Sequence, residues 1–520
     1  MNTFTLGLIV IVYLLSITYL GFRGYKQTKT ANDYLLAGGN IHPFVMALSY
    51  GATFISSSAI IGFGGMAANF GMGLIWLTFL NMFIGVVIAF IFFGRKTRQI
   101  GHKLKAHTFP EFLGKRFNSK SIQIFAGAVI FLAMPLYAAV VLKGGAVFIE
   151  EIFEIDYNIA LFIFTLIIAA YVIAGGLKGV MYTDALQGVI MFISMFFLLI
   201  WTYKVIGMGF SEANRTLTDM VHLVPEKLQA MGHRGWTSMP ATGSTWWYIL
   251  VTSLIMGVGI GVLAQPQLVV RFMTVKSDRE LNRAVLVGCL FIMVTTGIIY
   301  TVGATTNIFY MQTEGKIATA VIGDLDKIIP NYIKSAMPGF FSAIFMLTVL
   351  SASMSTLSSQ FHAMGTSIGR DIVSTSSKKE LNTTIITRVG IVVSIIVSYI
   401  ICYTLSMGVI ARGTAIFFGI CAATFLPAYF CALYWKRTTR KAVLWSMVSG
   451  FAASLFALLF MHKSEAAALG ISKAIFGKTV IIEQFPWPVI DPMVISLPIS
   501  IIVIIAVSLI DKSENAAKIS

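Results

Sequence analysis

Residues 350–360 read LSASMSTLSSQ, with five serines and a threonine among eleven positions. They fall inside an apolar run, about 340–368, that is long enough to cross a bilayer. Hydroxyl groups are costly in hydrocarbon unless their oxygens are used. Wound as a helix, Ala352, Ser355, Thr356 and Ser359 follow i, i+3, i+4, i+7 spacing and share one stripe, with Ser358 beside it. The stripe offers hydroxyl and carbonyl oxygens and no charge, the ligand set a small hard monovalent cation accepts. The same residues suit close helix packing, because small and hydroxylated side chains let membrane helices approach. The surrounding elements have to decide between the two.

Those elements are apolar almost throughout. Of 520 residues, 57% are hydrophobic and 12% charged, and the mean hydropathy is +0.83. That composition describes an all-α polytopic membrane protein forming one integrated domain over residues 1–520. Thirteen spans are expected, at 3–22, 42–70, 73–94, 122–149, 158–175, 181–205, 246–270, 284–309, 337–368, 386–408, 411–435, 440–462 and 489–511. The net charge of +16 is confined mostly to alternate loops. Arg95, Lys96, Arg98, Lys103, Lys105, Lys115, Arg116 and Lys120 follow the third span; Arg271, Lys276, Arg279 and Arg283 follow the seventh. The loop after the fourth span is instead acidic, with Glu150, Glu151, Glu154 and Asp156. The positive-inside rule then sets a cell-membrane protein with its N-terminus outside and C-terminus cytoplasmic. The basicity reads as orientation and attraction to anionic lipid, not as a nucleic-acid footprint. Cys289, Cys402, Cys421 and Cys431 lie in apolar segments without metal-ligand spacing, and no His/Asp/Glu cluster suggests an enzyme or a cofactor.

Two spans are interrupted. The second reads HPFVMALSYGATFISSSAIIGFGGMAANFGMG, with Gly51 and a polar cluster of Thr53, Ser56, Ser57 and Ser58. The seventh reads MGVGIGVLAQPQLVVRF, with Gly257, Gly259, Gly261 and Pro266. Glycine and proline loosen the helical ladder, which is tolerated at membrane depth where backbone lines a protected cavity. The two breaks open consecutive groups of five spans, as in transporters built from inverted repeats with a site near the midplane. The repeats would be 42–205 and 246–435, with 3–22 before them and two further helices in 440–511.

DYLLAGGNIHPFVMALSYGATFIS, AGGLKGVMYTDALQG, AQPQLVVRFM, MSTLSSQ and ALYWKR occur in this order along the chain. Together they resemble the sodium/solute symporter family, whose members carry proline, pantothenate, monocarboxylates, sialic acid and sugars. The resemblance covers nearly the whole chain and implies a LeuT-like fold that works by alternating access with sodium as coupling ion. It implies a sodium site of the carbonyls of Ala52, Ile55 and Ala352 and the hydroxyls of Ser355 and Thr356. Some members have a second sodium site, which would fall on Asp184, Ser358 and Ser359. The alternative for Asp184 is a carboxylate bonded to Thr183 or a nearby amide.

The solute is less constrained. Proline carriers of this family have an aspartate where this chain has Phe54, and pocket aromatics where it has Val258 and Val262. The ATFISSSAIIG pattern instead resembles the pantothenate and monocarboxylate branch, so a small carboxylate is expected, with amino acid, sugar or proton-coupled transport as alternatives. Thr53, Ser56 and Ser57 at the first break and Gln265 and Pro266 at the second are the other candidate solute contacts, although Gln265 could equally cap freed backbone. Lys143 is the basic residue expected well within a span, where such a charge costs about 2.5–3.5 kcal/mol. It reads as counter-charge for a solute carboxylate or, alternatively, as snorkelling outward or pairing with Glu150 two helical turns on. The remaining partners expected are the lipid bilayer and, at most, a weakly associated second copy.

Overall fold

The computed structural model describes residues 3–27, 36–39, 41–174, 177–377 and 382–511. Regular elements among them are all helical. In chain order these are α1 (Thr3–Gln27), α2 (Pro43–Phe54), α3 (58–70), α4 (71–104), α5 (Phe109–Arg116), α6 (Lys120–Phe153), α7 (Tyr157–Ala174) and α8 (Leu177–Ile206). They continue as α9 (Thr245–Ala264), α10 (266–274), α11 (Asp278–Glu314), α12 (Gly339–Ser374), α13 (Thr383–Thr404), α14 (Ile410–Tyr434), α15 (Arg440–Phe460) and α16 (Met493–Ile510).

Among the described residues, eleven helices are long and apolar enough to cross a membrane, against thirteen spans expected. The difference has a local cause. The span expected at 42–70 is two half-helices, the second running on into α4 as one stretch, Ser58–Leu104. The span at 158–175 is the short α7.

Both breaks follow from their residues. α2 starts with Pro43 in its first turn, capped by the His42 side chain accepting from the Phe44 N–H. It ends at Ile55, which leaves helical geometry at φ −85°, ψ 96°. Three consecutive serines follow, whose hydroxyls compete for backbone partners. Gln265 is likewise extended at φ −71°, ψ 114°, as the residue before a proline prefers.

α12 is the hub. It packs on α2, α6, α8 and α13, and its residues from Val349 to Phe361 are all buried. α1 leans on α8, and the Tyr13 hydroxyl reaches Ser351 Oγ of α12 at 3.0 Å. α15 and α16 pack on each other and on α14, joined by Ser446 Oγ and Ser500 Oγ at 2.8 Å. α11 crosses α3 so closely that a Cβ on Gly303 would lie 2.1 Å from the Gly64 carbonyl oxygen.

The ion pairs sort onto two faces. Arg98–Asp278, Lys115–Glu111 and Arg370–Glu111 join the basic loops. Lys327 with Glu150 and Glu151, and Lys334 with Glu154, lie where the acidic loop is. Not every basic residue keeps to this division. Arg271, expected in a basic-face loop, is 1% exposed, because α10 turns back into the core after the Gln265 break.

Candidate functional site

Where α12 crosses the end of α2, the serine stripe meets the unwound backbone. Ser355 Oγ donates to the Ala52 carbonyl at 2.7 Å, and also lies 2.8 Å from the Ser351 and 3.2 Å from the Ala352 carbonyl. Thr356 Oγ1 donates to the Thr53 carbonyl at 2.9 Å. All of these residues are fully buried. The expected oxygens of Ala52, Ala352, Ser355 and Thr356 are therefore brought together on one spot. Ile55 is the residue at which α2 unwinds, and Thr53 joins the group as a carbonyl neighbour. At the end of a helix the last carbonyls have no intrahelical amide to accept from. Here the hydroxyls of α12 take that place, an arrangement a small cation can enter by turning the hydroxyl hydrogens aside.

One turn toward the basic face lies a second cluster, different from the one expected. Asp184 Oδ2 accepts from Arg271 Nη2 at 2.8 Å, from Ser49 Oγ at 2.9 Å and from Thr53 Oγ1 at 3.3 Å. The same Arg271 Nη2 donates to Ser359 Oγ at 2.7 Å. The guanidinium thus stands between the carboxylate and one of the two serines assigned to a second ion. Ser358 instead donates to the Ser355 carbonyl at 3.0 Å, and Thr183 to the carbonyls of Gly179 and Val180. Asp184 Oδ1 has no hydrogen-bond partner among the described residues. A lone aspartate in an apolar span was the signal for this pairing, since a buried charge demands an opposite one. Arg271 sits in the AQPQLVVRFM segment itself, but its place in the chain resembled a loop.

The cavity nearest the first break has about 20 Å³, room for little more than a water. Phe54, Ser56, Asn81, Tyr137, Val258 and Phe418 are among its lining residues. No charged side chain lines it. Tyr137 and Ser56 both face it. Asn81 of α4 is 2% exposed and its Oδ1 has no partner among the described residues. Neither Asn81 nor Tyr137 stood out in the sequence, where each is an isolated polar residue in an apolar run.

Other expected solute contacts lie elsewhere. Thr53 belongs to the Arg271 cluster, where Arg271 Nη2 donates to its hydroxyl. Ser57 Oγ donates to the Val141 carbonyl of α6 at 2.8 Å. Val262 packs over Gly85 of α4. Gln265 Nε2 donates to the Gly261 carbonyl at 3.4 Å, so it caps freed backbone. Pro266 lines a crevice of about 30 Å³ toward the basic face, together with Arg271 and Ser359.

Lys143 does not line the cavity at the first break and does not pair with Glu150, whereas the snorkelling reading agrees with its reach to the end of α13. Its Nζ donates to the carbonyls of Leu405 and Ser406 at 3.1 and 2.6 Å, at the end of α13. Glu150, the other candidate partner, pairs with Lys327 at 3.0 Å. Helix ends leave carbonyls unpaired, and a cation there satisfies them. Lys143→Gln is therefore expected to leave the KM for solute unchanged and to lower stability by about 1.5–3 kcal/mol, the range for hydrogen bonds to a charged group. Uptake kinetics alongside thermal unfolding would check it; a several-fold rise in KM would put Lys143 back in the solute path.

A helical membrane protein with one half-broken helix held against a hydroxylated one, at an uncharged pocket, has the form of an ion-coupled carrier. The comparisons agree. Residues 34–450 match the model of the sodium:solute symporter family, and the chain belongs to that family. It is 26% identical over 475 residues to the osmoregulated proline transporter OpuE of Bacillus subtilis, covering 90% of each chain. It is 28% identical over 456 residues to a sodium/proline symporter of Staphylococcus aureus, covering 85% of this chain and 84% of the relative. Among solved structures, a sodium-coupled sialic acid symporter, substrate-bound and outward-open, superposes with a TM-score of 0.76 at 18% identity, over 98% of both chains. Mhp1, a nucleobase-cation-symport transporter in a closed conformation, gives a TM-score of 0.55 at 13% identity. The fold is LeuT-like, and the protein is a membrane transporter coupled to sodium. No group of three or more His, Cys, Asp or Glu that could hold a metal ion occurs among the described residues.

Proposed function

We propose that this chain imports a compact solute of no net charge, of amino-acid size, with one sodium ion per cycle, the water-sized cavity at the first break widening to admit it. The observation that carries the reading is the contact of Ser355 and Thr356 with the carbonyls of Ala52 and Thr53. Sodium bound there, with the carbonyls of Ile55 and Ala352 completing its ligands, holds α2 to α12. Its departure toward the basic face lets them part, which couples ion release to solute release if the two states differ in sodium affinity. The basic face is cytoplasmic in this reading, with the N-terminus outside, and residues 42–205 and 246–435 are the two repeats.

The Arg271 guanidinium beside Asp184 and Ser359 supports a single ion, because a second sodium there would meet a resident cation at contact distance. With a solute of no net charge, one sodium falling through ~100 mV supplies ~2.3 kcal/mol, roughly fortyfold accumulation before the sodium gradient is counted. The expectation of a pantothenate- or monocarboxylate-like anion came from the ATFISSSAIIG pattern, and the counter-charge such an anion would use, Lys143, is engaged outside the cavity. The relatives' proline is an amino acid of the proposed size, although Phe54 and Val258 shape the pocket here.

Uptake of labelled small neutral amino acids, acetate and pyruvate into proteoliposomes, with and without a sodium gradient, tests this. A Hill coefficient near one for sodium and sodium-stimulated uptake of a neutral zwitterion are expected; sodium-driven uptake of the anions alone would sink the solute class. Asn81→Leu should raise the solute KM about tenfold, the scale of one lost buried hydrogen bond (~1–2 kcal/mol), with sodium dependence unaltered. Unchanged KM in that variant would remove Asn81 from the solute site.

A further inference from the structure

On the basic face, the chain leading into α2, the end of α4 and the end of α10 surround a cavity of about 540 Å³. Its charged and titratable lining among the described residues is Lys105, Lys276, His102 and His107, with no acidic side chain among them. The acidic neighbours among the described residues are engaged by other groups, although Glu111 also lies 3.4 Å from His107 Nδ1. Glu111 binds Arg370 and Lys115, Asp278 binds Arg98 and Gln99, and Glu280 accepts from the Lys276 backbone N–H. Lys105 and Lys276 are both exposed, and neither side chain has an ion-pair partner among the described residues.

The two rings are fixed by their neighbours, and the N–H of His102 is spent on a backbone carbonyl. His102 lies with Nε2 3.1 Å from the Met273 carbonyl, which can only accept, so that nitrogen carries the proton. His107 Nδ1 lies 3.0 Å from Arg370 Nη2 and 3.4 Å from Glu111 Oε2, which directs Nε2 away from that pair. The wall opposite is bare backbone, Gly38 and Gly39, both in the left-handed region at φ 76° and 69°. Two unpaired ammonium groups beside glycine backbone form a receptor for a compact, doubly charged anion.

We propose that this cavity binds a phosphate monoester group, borne either by a lipid headgroup of the adjoining leaflet or by a soluble metabolite. General attraction of basic loops to anionic lipid predicts a diffuse effect of every surface lysine; the cavity confines it to two. The site also spans parts that must separate for the carrier to open on this face. The Ile41 N–H donates to the Thr274 carbonyl at 3.1 Å, tying the entry of α2 to the end of α10. An anion bridging Lys105 and Lys276 strengthens that tie and shifts the population toward the state closed on the basic face. Binding itself does not depend on the solute assigned above.

The full chain in phosphatidylcholine nanodiscs, titrated with glycerol 3-phosphate, tests the soluble source; nanodiscs doped with phosphatidic acid, read by native mass spectrometry, test the lipid source. Saturable binding in either arm is expected, weakened at least tenfold by Lys105→Gln with Lys276→Gln and by a few-fold in each single variant. Lys96→Gln with Lys120→Gln, on the same face but outside the cavity, should retain it. Equal losses in both double variants, or no saturable binding in either arm, would overturn the proposal. Uptake of solute is a separate readout, so failure of the transport reading would leave this result standing.

Discussion

Ser355→Ala and Thr356→Ala are each expected to abolish sodium-stimulated uptake while the protein still reaches the membrane. Each removes one hydroxyl of the stripe and leaves a backbone carbonyl, of Ala52 or Thr53, facing a methyl group. In a fully buried place no water replaces the lost ligand. Losing one such oxygen costs ~2–3 kcal/mol, which weakens sodium about 30- to 150-fold. In the proposed mechanism sodium closes α2 onto α12, so the solute then loses its drive even where its own cavity is intact. Restoring the oxygen should restore the activity, so Ser355→Thr and Thr356→Ser are the paired controls. Uptake at graded sodium concentrations reads this directly. Unaltered half-saturation in both alanine variants would remove the stripe from the ion site and return it to plain helix packing.

The second large effect concerns the pair inside the bundle. Asp184 and Arg271 are 0% and 1% exposed, and their contact joins α8 to α10 while Ser49, Thr53 and Ser359 bring in α2 and α12. Removing one charge strands the other away from water, so Asp184→Asn or Arg271→Gln should each destabilise by about 3–5 kcal/mol. Removing both strands neither. The double variant should therefore cost clearly less than the sum of the singles, with a coupling of about 1–3 kcal/mol. Unfolding in detergent for the four proteins of the cycle measures it. Additive losses would show that the pair is a coincidence of packing, and would reopen Asp184 as a ligand for a second sodium.

Much of this protein is legible in its residues taken in order. Apolar runs of bilayer length, basic loops alternating with an acidic one, and two spans interrupted at Ile55 and Gln265 are local properties. They follow from transfer energies, from what a proline demands of the residue before it, and from serines bidding for backbone partners. The Ser355–Thr356 stripe belongs with them, because helical spacing alone puts those hydroxyls on one line. What faces that line across the bundle is a matter of tertiary packing. Lys143 looked like a counter-charge because a lysine in an apolar span needs a partner, yet 262 residues of chain separate it from the Leu405 carbonyl it serves. Arg271 looked like a loop residue because α10 reads as the end of a span, until the break at Gln265 turns it inward to Asp184. Asn81 and Tyr137 carry no local mark at all. A sequence records which groups cannot be left alone in hydrocarbon; only the packed structure decides which distant group relieves each of them, because that pairing is set by helix crossings rather than by spacing along the chain.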